Sequence, residues 1–256
     1  MFYHIFTKTF GQLFRWLYFR AWTKNMHYIP KRGPAIIASN HLAVIDSIVL
    51  PVVVWRKIWF IGKKEYFQTD TFKHRLQKWF FTSVSVYPVD RAGGKAAEEA
   101  LNVGRRALDS GHLFGIYPEG TRSPDGNLYR GHTGVARLAL EKRVPVIPVA
   151  MIGTREAQKP GQSFPKPKRI GAVFAKPLLF DDLYDEYAKA LDDDDQDTVR
   201  NLLRTATDRI MLSLHSVSNQ TYVDIYATQA KEIVQSGENV LEYARANDKE
   251  IRVKTS

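Results

Sequence analysis

The sequence predicts an α/β fold: a mostly parallel central sheet flanked by helices, preceded by an N-terminal amphipathic membrane-associating helix and followed by C-terminal helices. Two observations carry this. Short apolar runs bounded by Gly, Pro or charged residues alternate with helical patterns through the middle of the chain, as strands buried on both faces of a parallel sheet do. Past about Pro177 the strand signal stops and helical spacing takes over. The 256 residues, 44% hydrophobic and 25% charged, suit one domain with a small appendage, large enough to bury a core without covalent staples.

Taken in order, residues 2–22 read as a helix. At 100° per residue, Phe2, Phe6, Phe10, Leu13, Phe14 and Leu17 fall within an arc of about 120°, with His4, Lys8, Gln12 and Arg15 opposite. A helix aromatic on one side and basic on the other suits the headgroup layer of a membrane, although ordinary packing on the domain accounts for it as well. Strands are expected at 35–39, 57–61, 84–87, 113–117, 145–151 and 170–174, with helices at 47–54, 71–81, 96–110 and 135–142. Helices are then expected at 181–215, 219–235 and 238–248, with frayed residues after Asp248. The acidic run at 192–195 reads as charge favoured at a helix N-terminus, not as a metal site. The expected organisation is a membrane-interface helix over 1–24, an α/β domain over 25–180 and a helical extension over 181–256.

Charge and composition narrow the function. A net charge of +10 points to an anionic partner: nucleic acid, an anionic membrane leaflet or a phosphorylated small molecule. The first carboxylate is Asp46, whereas Lys8, Arg15, Arg20, Lys24, Lys31 and Arg32 all precede it. This basic charge lies among aromatics, and no zinc-finger or RNA-recognition signature accompanies it, so a membrane surface is expected and nucleic acid is not. No apolar run approaches the roughly 18–20 residues that cross a bilayer. Arg15 and Arg20 break any secretion signal, so a peripheral or monotopic protein at the cytoplasmic face of the cell membrane is expected. With no cysteine, disulfides, cysteine-ligated zinc and a cysteine nucleophile are excluded.

Several constellations carry chemistry. Asn40 and His41 follow the strand 35–39 directly, and Asp46 comes five residues after His41. In an unbroken helix that spacing separates the side chains by about 140° and ~7.5 Å. They meet only if His41 sits at the strand-to-helix corner and the helix starts just after it. An Asp there accepts the imidazole Nδ1–H and leaves Nε2 as a base. Taken alone the spacing is common, and a structural histidine accounts for it better; the position at a strand's carboxyl end adds weight. Glu119-Gly120-Thr121-Arg122-Ser123 follows the strand 113–117 as a turn in which Arg122 offers a fork of donors suited to phosphate. A surface turn held by an internal Glu119–Arg122 pair is the plain alternative. Arg91 stands at another strand end, and Lys63 and Lys64 are lesser candidates for the same phosphate. Arg130 and the N–H groups before the helix at 135–142 form a weak anion site. Val146, Ile147 and Pro148, in an apolar strand, are core residues or the wall of an acyl pocket.

The Asn40-His41-x4-Asp46 spacing, together with Glu119-Gly120-Thr121-Arg122-Ser123 in the same order, resembles the glycerolipid acyltransferases, lysophosphatidic acid acyltransferases in particular. The likeness extends through Tyr28-Ile29-Pro30, the segment from Val86 to Arg91 and that from Val144 to Pro148, and fades beyond. One departure is Ala43, where the family often has a small hydroxyl residue. The resemblance implies acyl transfer from a thioester of coenzyme A or acyl carrier protein to the hydroxyl of 1-acyl-sn-glycerol-3-phosphate, with no cofactor or metal. It implies His41 as base, Asp46 as its partner, and Arg122 and Arg91 on the acceptor phosphate, with Glu119, Gly120, Thr121 and Lys63 in support. Glycerol-3-phosphate, another lysophospholipid or a glycolipid as acceptor, a non-catalytic membrane-binding domain and a hydrolase stay open at this level.

Overall fold

The computed structural model describes residues 17–63, 67, 70, 71, 75, 78, 86–89 and 96–253. Its main sheet comprises β1 (Trp22–Lys24), β2 (Ala35–Ser39), β3 (Ile58–Lys63), β4 (Val86–Val89), β5 (Leu113–Ile116), β7 (Val146–Ile152) and β8 (Gly171–Phe174). They lie in the order β1-β8-β7-β2-β5-β3-β4, and every pair is parallel except β7 with β8. A second sheet orders β10 (Ile251–Arg252), β9 (Tyr222–Tyr226) and β6 (Leu128–Arg130). The helices are α1 (Asp46–Val53), α2 (Ala96–Asp109), α3 (Gly134–Lys142), α4 (Thr154–Ala157), α5 (Tyr184–Asp192), α6 (Gln196–Val217), α7 (Ala227–Gln235) and α8 (Val240–Ala246). Among the described residues no helix is long and apolar enough to cross a membrane.

The two faces of β2 show why this sequence makes a central strand. Ile36 and Ala38 join a core with Val103, Leu108, Leu138 and Leu203 from α2, α3 and α6, while Ala35 and Ile37 join a core with Val49, Leu50 and Val53 of α1. Alternate residues thus bury on opposite faces, which an apolar run satisfies and an amphipathic one does not. In β7, Pro148 is tolerated next to β2 for a geometric reason. Its carbonyl accepts from Ala175 N (2.9 Å), so its nitrogen faces the same side, just before the β7–β8 ladder opens at Val149–Phe174.

The C-terminal region departs from expectation. Residues 181–215 form two helices, not one, because the chain turns at 193–195 and Asp195 caps α6, accepting from Thr198 N at 3.0 Å. The segment expected as a helix over 219–235 begins with β9, whose Val223 and Ile225 pack with Tyr129 of β6. Residues beyond Asp248 are not frayed throughout, since Ile251 and Arg252 pair with β9. Helices α5 and α6 pack through Tyr187, Leu203, Ala206 and Ile210 into the core of the main sheet, so the region past 180 shares the domain's interior. At the other end, residues 1–16 of the expected amphipathic helix lie outside the described residues. Its C-terminal end is corrected: Trp22 begins a strand beside β8, and Phe19 and Ala21 are buried in the core. The helix expected over 71–81 also lies largely outside the described residues.

Candidate active site

Parallel strands carry their carboxyl ends to one edge, and Ser39 of β2 delivers the chain there straight into Asn40 and His41. Asn40 is fully buried. Its Oδ1 accepts from Met151 N (2.7 Å), and its Nδ2 donates to Met151 O (3.1 Å) and to Gln220 Oε1 (2.6 Å). This pins the end of β2 to β7 and leaves the next residue to turn outward.

The turn is closed by Asp46, the first residue of α1. Its Oδ2 accepts from Leu42 N (2.7 Å), Ala43 N (2.8 Å) and His41 Nδ1 (3.0 Å). A carboxylate at the N-terminus of a helix is favoured by the helix dipole, and this one side chain also tightens the corner before it and grips the imidazole. His41 and Asp46 therefore meet as the strand-to-helix corner requires. The missing hydroxyl at Ala43 leaves its backbone N–H on Asp46 intact. The Asp46 side chain is fully buried, while that of His41 is 16% exposed. The His41 Nε2 edge has no hydrogen-bond partner among the described residues.

The imidazole is also held by stacking. Tyr117 lies parallel to it, with ring centroids 4.0 Å apart and an interplanar angle of 12°. Behind Tyr117 stands Phe60 at 5.9 Å, and Phe60 fits because residue 115 is Gly: a Cβ there would come within 2.2 Å of the Phe60 ring. The Tyr117 hydroxyl shares a hydrogen bond with Ser47 Oγ (3.0 Å), and burial holds its pKa well above the usual phenol value.

The second motif is fastened to the first through backbone. Glu119 Oε1 accepts from His41 N (3.1 Å), and Oε2 accepts from Tyr129 N (3.1 Å). Ser123 N donates to His41 O (2.8 Å). The turn from Glu119 to Ser123 thus brackets His41 on both sides of its peptide. Burial pushes the Glu119 carboxyl up to about 8, while the two N–H bonds act in the opposite sense. This corrects the reading of Glu119 as a phosphate contact or a partner for Arg122: it is fully buried, and both oxygens are occupied by backbone donors. Arg122, by contrast, is exposed on the rim of the turn and has no hydrogen-bond or ion-pair partner among the described residues. Gly120 adopts φ +73°, a conformation glycine enters without strain, and a Cβ there would meet the His132 ring at 3.0 Å. Thr121 Oγ1 accepts a hydrogen bond from Lys231 Nζ of α7.

Other expected residues fall differently. Lys63 ends β3 on the same sheet edge as His41; its side chain, like Lys64, Asp90 and Arg91, lies outside what is described. Val146 and Ile147 are fully buried on opposite faces of β7, and Pro148 is buried between them and Val149, so these three are core and do not wall an open acyl pocket. Arg130, expected in an anion site, is engaged with Asp224 (2.9 Å) and lies 5.7 Å over the Tyr226 ring. Lys231 and Gln220 were missed, because neither has a motif in sequence; both reach the site through the C-terminal fold.

A bonded His-Asp pair thus stands on the carboxyl edge of a largely parallel α/β sheet. The family model described as Acyltransferase matches residues 21–152, just over half of the sequence, and the chain belongs to that family. The 1-acyl-sn-glycerol-3-phosphate acyltransferase of Limnanthes alba is 29% identical over 164 residues, 62% of this chain and 57% of that protein. That of Cocos nucifera is 28% identical over 153 residues, 59% of this chain and 48% of that protein. The chain thus spans about half the length of these curated relatives. The crystal structure of the 1-acyl-sn-glycerophosphate (LPA) acyltransferase of Thermotoga maritima superposes with a TM-score of 0.54 at 22% identity, covering 80% of this chain and 77% of that one. The two share a fold.

Proposed function

We propose that this chain transfers a fatty acyl group from a thioester of coenzyme A or acyl carrier protein to the free hydroxyl of 1-acyl-sn-glycerol-3-phosphate, giving phosphatidic acid for phospholipid synthesis. The observation that carries the reading is the His41–Asp46 pair, bonded through Nδ1 at 3.0 Å with its Nε2 edge unclaimed, beside a turn whose Arg122 is exposed. The relatives' names supply the acceptor.

In this mechanism His41 Nε2 takes the proton of the acceptor hydroxyl as its oxygen attacks the thioester carbonyl. General-base help of this kind contributes roughly 10²–10⁴-fold. The imidazolium is stabilised by Asp46 and stacked on Tyr117. The C–S bond breaks, and the thiolate leaves and is protonated by the imidazolium or solvent. Arg122, with Lys231 behind Thr121, supplies positive charge for the acceptor phosphate; the family resemblance assigns Lys63 and Arg91 to the same phosphate. No cofactor or metal takes part. The protein works at an anionic membrane surface, on its cytoplasmic face.

The test is the product formed by the purified chain with acyl-CoA and lysophosphatidic acid, identified by mass spectrometry. Phosphatidic acid is expected, and His41→Ala is expected to abolish it while leaving the circular dichroism spectrum unchanged. Near-normal turnover in a folded His41→Ala variant rules out this base. Transfer to glycerol-3-phosphate or a glycolipid, with none to lysophosphatidic acid, keeps the chemistry and replaces the acceptor.

A further inference from the structure

We propose that the loop from Gln158 to Arg169 is a second membrane-docking element, inserting Phe164 into an anionic bilayer beside the His41 corner. The inference deepens the acyltransferase reading and rests on it for the reason why that corner should face lipid.

Phe164 is 86% exposed, more than any other large apolar residue described. A lone exposed apolar side chain needs no explanation; this one has company and support. The loop is stiff. Pro160, Pro165 and Pro167 fix its backbone, Lys159 and Gln162 close a turn around Gly161, and Lys166 N donates to Ala157 O at 2.7 Å. Phe164 is therefore exposed on a loop closed by hydrogen bonds.

The loop is also tied to the places that matter. Gln158 is 6% exposed and uses both ends of its amide: Oε1 accepts from Ile45 N (3.0 Å) in the His41–Asp46 turn, and Nε2 donates to Gln162 O (3.2 Å) and Ser163 O (3.4 Å). Ser163 precedes Phe164, and Ile45 follows Val44, which is 45% exposed. On the other side, the Tyr18 hydroxyl donates to Pro165 O (2.7 Å), next to Leu17, which is 74% exposed. The three stretches that carry these exposed apolar residues are thus linked to one another by hydrogen bonds of 2.7–3.4 Å.

Charge selects the occupant. Lys159, Lys166, Lys168 and Arg169 are exposed, and no acidic residue occurs between Ala157 and Phe180. Among the described residues none of the four forms an ion pair. Apolar tips ringed by such cations fit a surface that is anionic outside and apolar within, which is a phospholipid leaflet.

The absence of cysteine makes the test clean. An environment-sensitive fluorophore is placed on Phe164→Cys and, as a control, on Asn201→Cys of α6, which packs on the opposite face of the sheet. Phosphatidylethanolamine–phosphatidylglycerol vesicles are then added. A blue shift is expected at 164 and none at 201. Replacing Lys159, Lys166 and Lys168 with Gln is expected to weaken vesicle binding by about fivefold per charge, while transfer to detergent-dispersed acceptor stays at the wild-type rate. Protein that co-sediments with vesicles without a shift at 164 overturns the proposal, as does undiminished binding by the triple variant. Acyl transfer to dispersed lysophosphatidic acid is measured in parallel: its failure with the shift present sinks the acyltransferase reading and leaves the docking loop standing.

Discussion

Asp46→Asn separates the charge of the site from its shape. The Asp46 Oδ2 position accepts from two backbone N–H groups and from the imidazole Nδ1, so the introduced carboxamide must put its oxygen there; its NH₂ would oppose two fixed donors. The corner and the His41 tautomer are kept, and only the negative charge is removed. If an imidazolium forms opposite this group, the lost attraction, taken at about 4 Å and an effective dielectric constant near 20, is about 4 kcal/mol. The rate of the acylation step should fall about a thousandfold. The assay is kcat at saturating acyl-CoA and acceptor, with urea unfolding to show that the variant is native. The helix loses a favourable end charge at a cost of about 0.3–1 kcal/mol, and the NH₂ lands at the buried Oδ1 position, where no acceptor faces it, at a further cost of about 1–3 kcal/mol, so a clear fall in stability is expected. A folded variant within fivefold of wild-type kcat would show that no imidazolium develops against Asp46, and the general-base mechanism would have to be given up.

Two further predictions concern the adjoining turn. Glu119→Gln replaces one acceptor of a backbone N–H with a donor in a fully buried place, which should cost about 1–3 kcal/mol in urea unfolding. Because burial raises the Glu119 pKa from its ordinary value to about 8, the native state keeps a proton that the unfolded chain has already released. The contribution of Glu119 to stability is therefore greatest below about 4.5 and declines as pH rises through about 8, and the gap between wild type and Glu119→Gln should narrow from pH 5 to pH 9. A gap that widens over this range would mean the two N–H bonds outweigh burial. Arg122→Ala should raise the acceptor KM by roughly 10–100-fold, the value of a hydrogen bond to a charged group, and Lys231→Ala less, with kcat nearly unchanged in both. An unchanged KM with a large loss of kcat would move Arg122 from binding the ground state to stabilising the transition state.

The elements legible in sequence were those whose signal is local. The run from Ala35 to Ser39 is apolar at every position but the last and is bounded by Pro34 and Asn40, so its identity as a strand buried on both faces needed no partner to be seen. The helix at 96–109 carried its own periodicity and a glycine just past its end. Strand β9 was not legible: five residues running into a helix carry too little pattern, and pairing with β6 and β10 and packing on Tyr129 make them a strand. Strand β1 was absorbed into the preceding helical pattern for the same reason.

The site divides along the same line. The positions of His41 and Asp46 and the turn carrying Arg122 were set by the chain itself, since a strand end, a helix-starting carboxylate and a Gly-containing turn are encoded within a few residues. Beyond the local bonds of Asp46, what the site's groups bond to was decided by tertiary structure. Glu119 stands three residues from an arginine but is buried against the backbone of His41 and Tyr129, and Lys231, more than a hundred positions on, comes to lie on Thr121. Local sequence fixes backbone conformation through short-range sterics and hydrogen bonding, whereas the partner of a buried polar group depends on which distant segments the core brings together.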